Sequence, residues 1–238
     1  MNKLMAPLML TTLTVALSSC SSDPKTPVAP PVQVTGTVKS GSGEGKISLA
    51  GTGTTVLASA PVAADGSFTL NLPDAGALAG QLVSASTIMA NVGCVGNLIS
   101  SNAAAKGFGF AALNAVRSGA SQQVYAASAQ GNVASVSSEM NMDLWVYVDQ
   151  ATNLSGSVDC TKLANSPQVS AISAKFQNPQ TPVVSLNAGW NVVHFKGTSG
   201  ITGPYDIKGA IFNPSASSKP ASSWLTIDDA IKNLSIRL

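Results

Sequence analysis

Charge is scarce in this chain: only 10% of its 238 residues are Asp, Glu, Lys or Arg, with 13 basic side chains against 11 acidic ones. The near balance, with basic residues scattered along the chain, gives no electrostatic case for nucleic acid or for an acidic membrane surface. Histidine is scarcer still, and His194 is the only one. Zinc and copper sites draw on three or four imidazoles or thiolates, so no metal and no cofactor are expected. A Ser-His-Asp arrangement would have to use His194, yet no G-x-S-x-G elbow accompanies it. On its own strand His194 shares a face with Trp190, Val192 and Lys196, which reads as a plain surface or half-buried histidine.

Carboxylates are also few, two glutamates and nine aspartates. Asp228-Asp229 is the one adjacent pair, and at a helix start it reads as favourable placement in the helix dipole rather than as a catalytic dyad. No D-x-D-x-D-G calcium loop occurs. Glu139, Asp143 and Asp149 lie on one strand face, but residues spaced that far along a strand do not converge unaided. Gly41-Ser42-Gly43 and Gly107-Phe108-Gly109 lack the lysine and following helix of a phosphate loop and read as turns or bulges. No catalytic residue is assigned. Ser, Thr, Ala, Asn and Gly fill the place of charge, while 45% hydrophobic residues exclude a disordered chain.

The first residues address the compartment. Lys3 is the only charge before Asp23, and the apolar stretch Leu4 to Leu17 is too short for a bilayer-spanning helix, which needs roughly 20 residues. The junction Leu17-Ser18-Ser19-Cys20 resembles a lipobox, with an aliphatic residue, two small ones and the cysteine. That resemblance to bacterial lipoproteins implies residues 1–19 as a signal peptide, cleavage before Cys20, and diacylglycerol on its thiol. Several acyl chains, palmitate among them, then hold the protein firmly on a membrane. Ser21, where an inner-membrane lipoprotein of enteric type tends to carry aspartate, implies the outer membrane in a diderm cell. The stretch Ser21 to Pro31 holds four prolines and reads as an extended tether that reaches on the order of 30 Å.

Three cysteines occur, and lipid would take Cys20. Cys94 and Cys160 remain as an even pair in an oxidising compartment, where a disulfide is expected; free buried thiols and a thiolate metal site are the alternatives. Closing that loop is worth roughly 4 kcal/mol on the chain-entropy model.

Alternation with period two dominates the rest, predicting an all-β chain. Val32, Val34, Gly36 and Val38 alternate with polar residues, Ile47 and Leu49 follow a Gly/Ser turn, and a strand runs through Thr54 to Ala60. Phe68, Leu70 and Leu72 follow the Asp65-Gly66 turn and stop at Pro73. The order V-x-G-x-V, then D-G-S-F-x-L-x-L-P, resembles the carboxypeptidase-regulatory or transthyretin-like β-sandwich, a module that in its family is more often spacer or adhesion unit than catalyst. Residues 32–80 are accordingly expected to form a small β-sandwich module, and residues 81–238 a larger antiparallel β-sandwich or barrel.

In that second region strands are expected at 81–85, 108–116, 123–127, 155–160, 169–176, 190–196 and 206–212. A Gly-rich loop carrying Cys94 separates the first two. Leu186-Asn187-Ala188-Gly189-Trp190-Asn191 resembles the L-x-x-G-W-N hairpin turn of secreted bacterial β-domains, which speaks to fold alone. A short helix behind a Ser223 cap, carrying Trp224, Ile227 and Ile231 on one face, precedes a closing strand through Leu234, Ile236 and Leu238.

The clearest strand places Met140, Met142, Leu144, Val146 and Val148 on one face. Glu139, Asn141, Asp143, Trp145, Tyr147 and Asp149 lie on the other. Trp145 and Tyr147 need cover on that polar side. Either another layer of the chain supplies it, such as the tail with Trp224, or they form an interaction surface for a protein, a glycan or an apolar ligand.

The function expected is a lipid-anchored cell-envelope protein with a non-catalytic structural or interaction role, contacting other envelope components. The alternatives are a binder of a small or apolar ligand or glycan in the larger β region, and third, an unrecognised hydrolase.

Overall fold

The computed structural model describes residues 32–92, 95–132, 137–159, 184–201, 207–216 and 222–234. The expected signal peptide, lipidated Cys20 and tether, both Cys94 and Cys160, the strand expected at 169–176 and residues 235–238 lie outside the described residues. Strands dominate what is described, with three short helices, so the chain is all-β.

Four strands open the fold: β1 (Gln33–Val38), β2 (Gly45–Ala50), β3 (Val56–Val62) and β4 (Ser67–Asn71). Their alternation sends Val34, Val38, Ile47, Leu49, Val62, Phe68 and Leu70 into one core. The β3–β4 turn works as its residues suggest. Asp65 accepts a hydrogen bond from the Ser67 amide at 2.9 Å, and Gly66 takes φ +87°, where a Cβ would stand 2.4 Å from the Val38 carbonyl oxygen.

The following stretch is more helical than its sequence suggests. Helix α1 (Ala75–Leu78) is capped by Asp74, which accepts from the Ala77 amide at 2.9 Å. The strand expected over 81–85 shrinks to β5 (Val83–Ser84) between single helical turns, followed by α2 (Ile88–Asn91). Strands β6 (Val95–Ser100), β7 (Lys106–Phe110) and β8 (Ala112–Arg117) come next.

Gly107-Phe108-Gly109 is a strand rather than a turn, which corrects the sequence reading. Phe108 enters one core, and the two glycines let Ile88 settle on the opposite face. A Cβ on Gly107 would meet Ile88 at 2.4 Å and the Tyr147 carbonyl oxygen at 2.5 Å.

Two long strands, β9 (Ala120–Asn132) and β10 (Ser137–Val148), then pair antiparallel, followed by β11 (Thr152–Asp159), β12 (Val184–Leu186), β13 (Gly189–Ile201) and β14 (Ile207–Ala216). The chain closes with β15 (Ser223–Leu225) and α3 (Ile227–Leu234). Leu186 to Asn191 is not a hairpin between paired strands. Strand β12 belongs to a three-stranded sheet with β11 and β6, whereas β13 lies between β10 and β14 in the large sheet. Asn191 holds the connection, accepting from the Asn187 amide at 2.9 Å and donating to the Asn187 and Gly189 carbonyls at 2.8 and 3.0 Å.

Pairings run β9-β15-β1-β4-β3-β2-β8 and return from β8 to β9, which closes a ring. Strands between residues 32 and 80 thus share a sheet and a core with strands from the rest of the chain, and residues 31–238 form one compact unit.

At one end of the ring Arg117, 4% exposed, reaches across the loops. Its guanidinium donates five hydrogen bonds of 2.8–3.1 Å to the carbonyls of Gly43 (two), Val38, Ser40 and Ala64. All five of its N–H donors are used, which is what makes burial of a guanidinium tolerable.

The tail departs from expectation. Trp224 lies on β15, which pairs parallel with β1 and antiparallel with β9 and so supplies the strand that seals the ring. The helix begins later, behind Thr226 rather than Ser223: Thr226 Oγ1 accepts from the Asp229 amide at 3.1 Å and donates to the Asp229 carboxylate at 2.8 Å. This is a capping box, with aspartate in place of the usual glutamate.

Candidate functional site

Strand β10 is buried on both faces from Asp143 to Val148. Leu144, Val146 and Val148 enter a second core with Ile88, Tyr125, Leu154, Leu186, Val193 and Phe195. Its other face turns Trp145 and Tyr147 into the core inside the ring. A strand clamped between two cores cannot offer an open aromatic face, so Trp145 and Tyr147, at 2% and 9% exposure, do not form the surface platform that alternation allowed.

The chain's own aromatic residues cover both. Trp145 stacks on Phe110 (centroids 5.5 Å apart, planes at 11°) and on Trp224 (5.4 Å, 23°). Tyr147 meets Trp190 edge to face at 5.6 Å, and Trp190 donates its indole N–H to the Pro73 carbonyl at 2.9 Å. Phe68 stands edge-on to Trp224 at 5.6 Å. Such pairs add about 0.5–1.5 kcal/mol each beyond the area they bury.

The same face of β10 carries the candidate site, one residue pair further along. In the antiparallel register with β13, Trp145 stands opposite Val192 and Asp143 opposite His194. His194 Nδ1 lies 2.6 Å from Asp143 Oδ1. The Asp143 side chain is fully buried, while that of His194 is 30% exposed. A carboxylate accepting from Nδ1–H fixes the tautomer and turns the ring so that Nε2, an acceptor in the neutral imidazole, faces away from β10. Beyond the pair, Asn141 donates to Glu139 at 3.0 Å and to Ser128 on β9 at 3.4 Å.

The sequence placed Asp143 and His194 on separate strands and assigned neither a role. The signal that unites them is cross-strand register, which no local pattern carries. Other carboxylates are dispersed. Asp149 accepts from the Lys106 amide at 2.8 Å at the end of its strand. Asp229 accepts from Ser40 and Thr226, and Asp228 is exposed at the helix start. The Ser40 hydroxyl, foremost, holds the Asp229 carboxyl below its ordinary value, helped by Thr226 and the Lys232 ammonium against the opposing effect of burial. Among the described residues no three His, Cys, Asp or Glu side chains gather as a metal ion would require.

The site therefore consists of an imidazole, accessible on one edge and oriented by a buried carboxylate, at the border between an aromatic core and a polar strip. It can accept or deliver a proton or hydrogen-bond a ligand. No protein-family model, no curated protein and no solved structure matches the chain.

Proposed function

We propose that this protein is a lipid-anchored component of a bacterial cell envelope, held on the membrane through acylated Cys20 and contacting other envelope components through the surface of its β body. The observation that carries this reading is Leu17-Ser18-Ser19-Cys20 behind Lys3 and a short apolar core, followed by the Pro-rich stretch to Pro31. A body with few charges, whose aromatic residues stack on one another inside, suits a scaffold that presents β surfaces at a distance from the lipid. The outer membrane is the location proposed for a diderm cell.

A disulfide between Cys94 and Cys160 belongs to the same reading. Val95 on β6 stands opposite Asp159 on β11, and each cysteine is the next residue in its chain. Directly opposed residues of an antiparallel pair lie about 4.5–5.5 Å apart at Cα, inside the span of roughly 4.4–6.8 Å that a disulfide bridges.

The intact mass of protein extracted from membranes tests the anchor, with diacylglyceryl-cysteine expected as the first residue; an unmodified Cys20 in the mature protein would end the proposal. Peptide mapping without reductant is expected to find Cys94 crosslinked to Cys160, and ready maleimide labelling of both in the folded protein argues against the bridge. Pull-down from detergent-solubilised membranes is expected to bring a stoichiometric protein partner. A co-purifying small molecule instead would favour the ligand-binding alternative.

A further inference from the structure

Beyond the envelope role, and independent of it, the geometry points to an ester-hydrolysing site in which Asp143 orients, His194 acts as general base and Ser215 is the nucleophile. Three neighbouring strands bring these residues into one row. Asp143 on β10 stands opposite His194 on β13, and His194 stands opposite Ser215 on β14. Directly opposed residues of antiparallel strands share a face, with Cβ atoms about 4.5–5.5 Å apart. The bond from Nδ1 to Asp143 turns one edge of the imidazole to β10, so Nε2 faces the β14 side, where the register sets Ser215.

Burial grades along the row in the sense the chemistry needs. The acid is fully buried, the imidazole 30% exposed, and β14 stands at the end of the strand order. Such a constellation is recognised by geometry and not by chain order, so the missing G-x-S-x-G elbow does not count against it.

The reaction balances without a cofactor. The Ser215 hydroxyl oxygen bonds to the ester carbonyl carbon as its proton passes to His194 Nε2. The tetrahedral intermediate then expels the alcohol, which leaves with that proton. Water repeats the sequence on the acyl-serine, releasing the carboxylic acid and restoring Ser215, while Asp143 stays ionised and holds the imidazolium. Along the strands the row is flanked by Trp145 and Val192 on one side and by the register pair Asn141 and Lys196 on the other. That polarity fits an ester with a short apolar acyl group, lying toward Val192, and a polar alcohol.

The test treats the full-length folded protein with a fluorophosphonate probe and maps the adduct by peptide mass, beside hydrolysis of p-nitrophenyl acetate and butyrate. A single adduct on Ser215 is expected, abolished in Ser215→Ala and in His194→Gln, with ester hydrolysis falling at least a hundredfold in both. Asp143→Asn is expected to lower the rate with little change in KM. Thermal melts accompany each variant, and adduct mapping on the unmodified protein decides the question even where a variant fails to fold. No adduct on Ser215, or labelling and hydrolysis undiminished in a folded His194→Gln protein, overturns the proposal.

Discussion

Trp224 lies almost flat on Trp145, with ring centroids 5.4 Å apart and planes 23° apart. The contact joins the last strand of the chain to the long strand clamped between the two cores. Both rings are shielded from water, at 0% and 2% exposure. The Trp224 indole N–H, however, has no acceptor among the described residues. An unmet buried donor costs about 1–3 kcal/mol, which the stacking and the buried area around it must offset.

Trp145→Ala is expected to destabilise the fold by roughly 3–5 kcal/mol, as large aromatic truncations in a core do. Thermal or denaturant melts measure it. An unchanged melt combined with loss of a co-purifying partner would mean that the ring serves an interface and not the core.

The glycine beneath Trp224 gives a second expectation. A Cβ on Gly36 would stand 2.5 Å from Trp224 Cδ1 and Nε1 and 2.9 Å from the Ser222 carbonyl oxygen. Gly36→Ala therefore pushes against the strand that seals the ring, and a loss of roughly 1–3 kcal/mol is expected from overpacking. Gly80→Ala, where an added Cβ meets nothing within 4 Å, is the control and is expected to melt like the parent protein.

Arg117→Lys removes the planar fork while keeping the charge. An ammonium has three donors and cannot serve the four carbonyls that the guanidinium now joins with five bonds. A loss of roughly 2–4 kcal/mol is expected in urea melts. Amide exchange should quicken first around residues 39–45 and 63–66, because the loops there lose their common tie. Retention of full stability would show that the loops hold without it.

Acid should loosen the tail through Asp229. Its carboxyl is held below 3.8, first by the Ser40 hydroxyl, so the stabilising contribution is complete above that value. It is lost as pH falls through the lower folded-state value, because the unfolded chain then binds a proton more readily than the folded one. Asp229→Asn should flatten this part of the acid limb in melts taken between about pH 5 and 2, and an acid limb identical to the parent's would refute the assignment.

Strand positions were largely legible because alternation is a local property. Val34 to Val38, Phe68 to Leu72 and Met140 to Val148 declare their faces within a few residues, and Asp65-Gly66 declares its turn. Local pattern failed where a neighbour's shape decided the outcome. Gly107 and Gly109 look like turn residues, but they are strand positions kept bare for Ile88. Ser223 and Trp224 fit a helical face, yet the open seam between β1 and β9 draws them into a strand.

By itself the sequence determined the export signal and lipobox pattern, the β class, the lack of charge and the lone histidine, since composition and short-range periodicity suffice for these. Only the tertiary structure decided that the ring is sealed by the tail and that Trp145 is covered by Trp224. It alone set Asp143 against His194. Each of these depends on register between strands far apart in the chain, and a shift of one residue would turn every side chain to the other face.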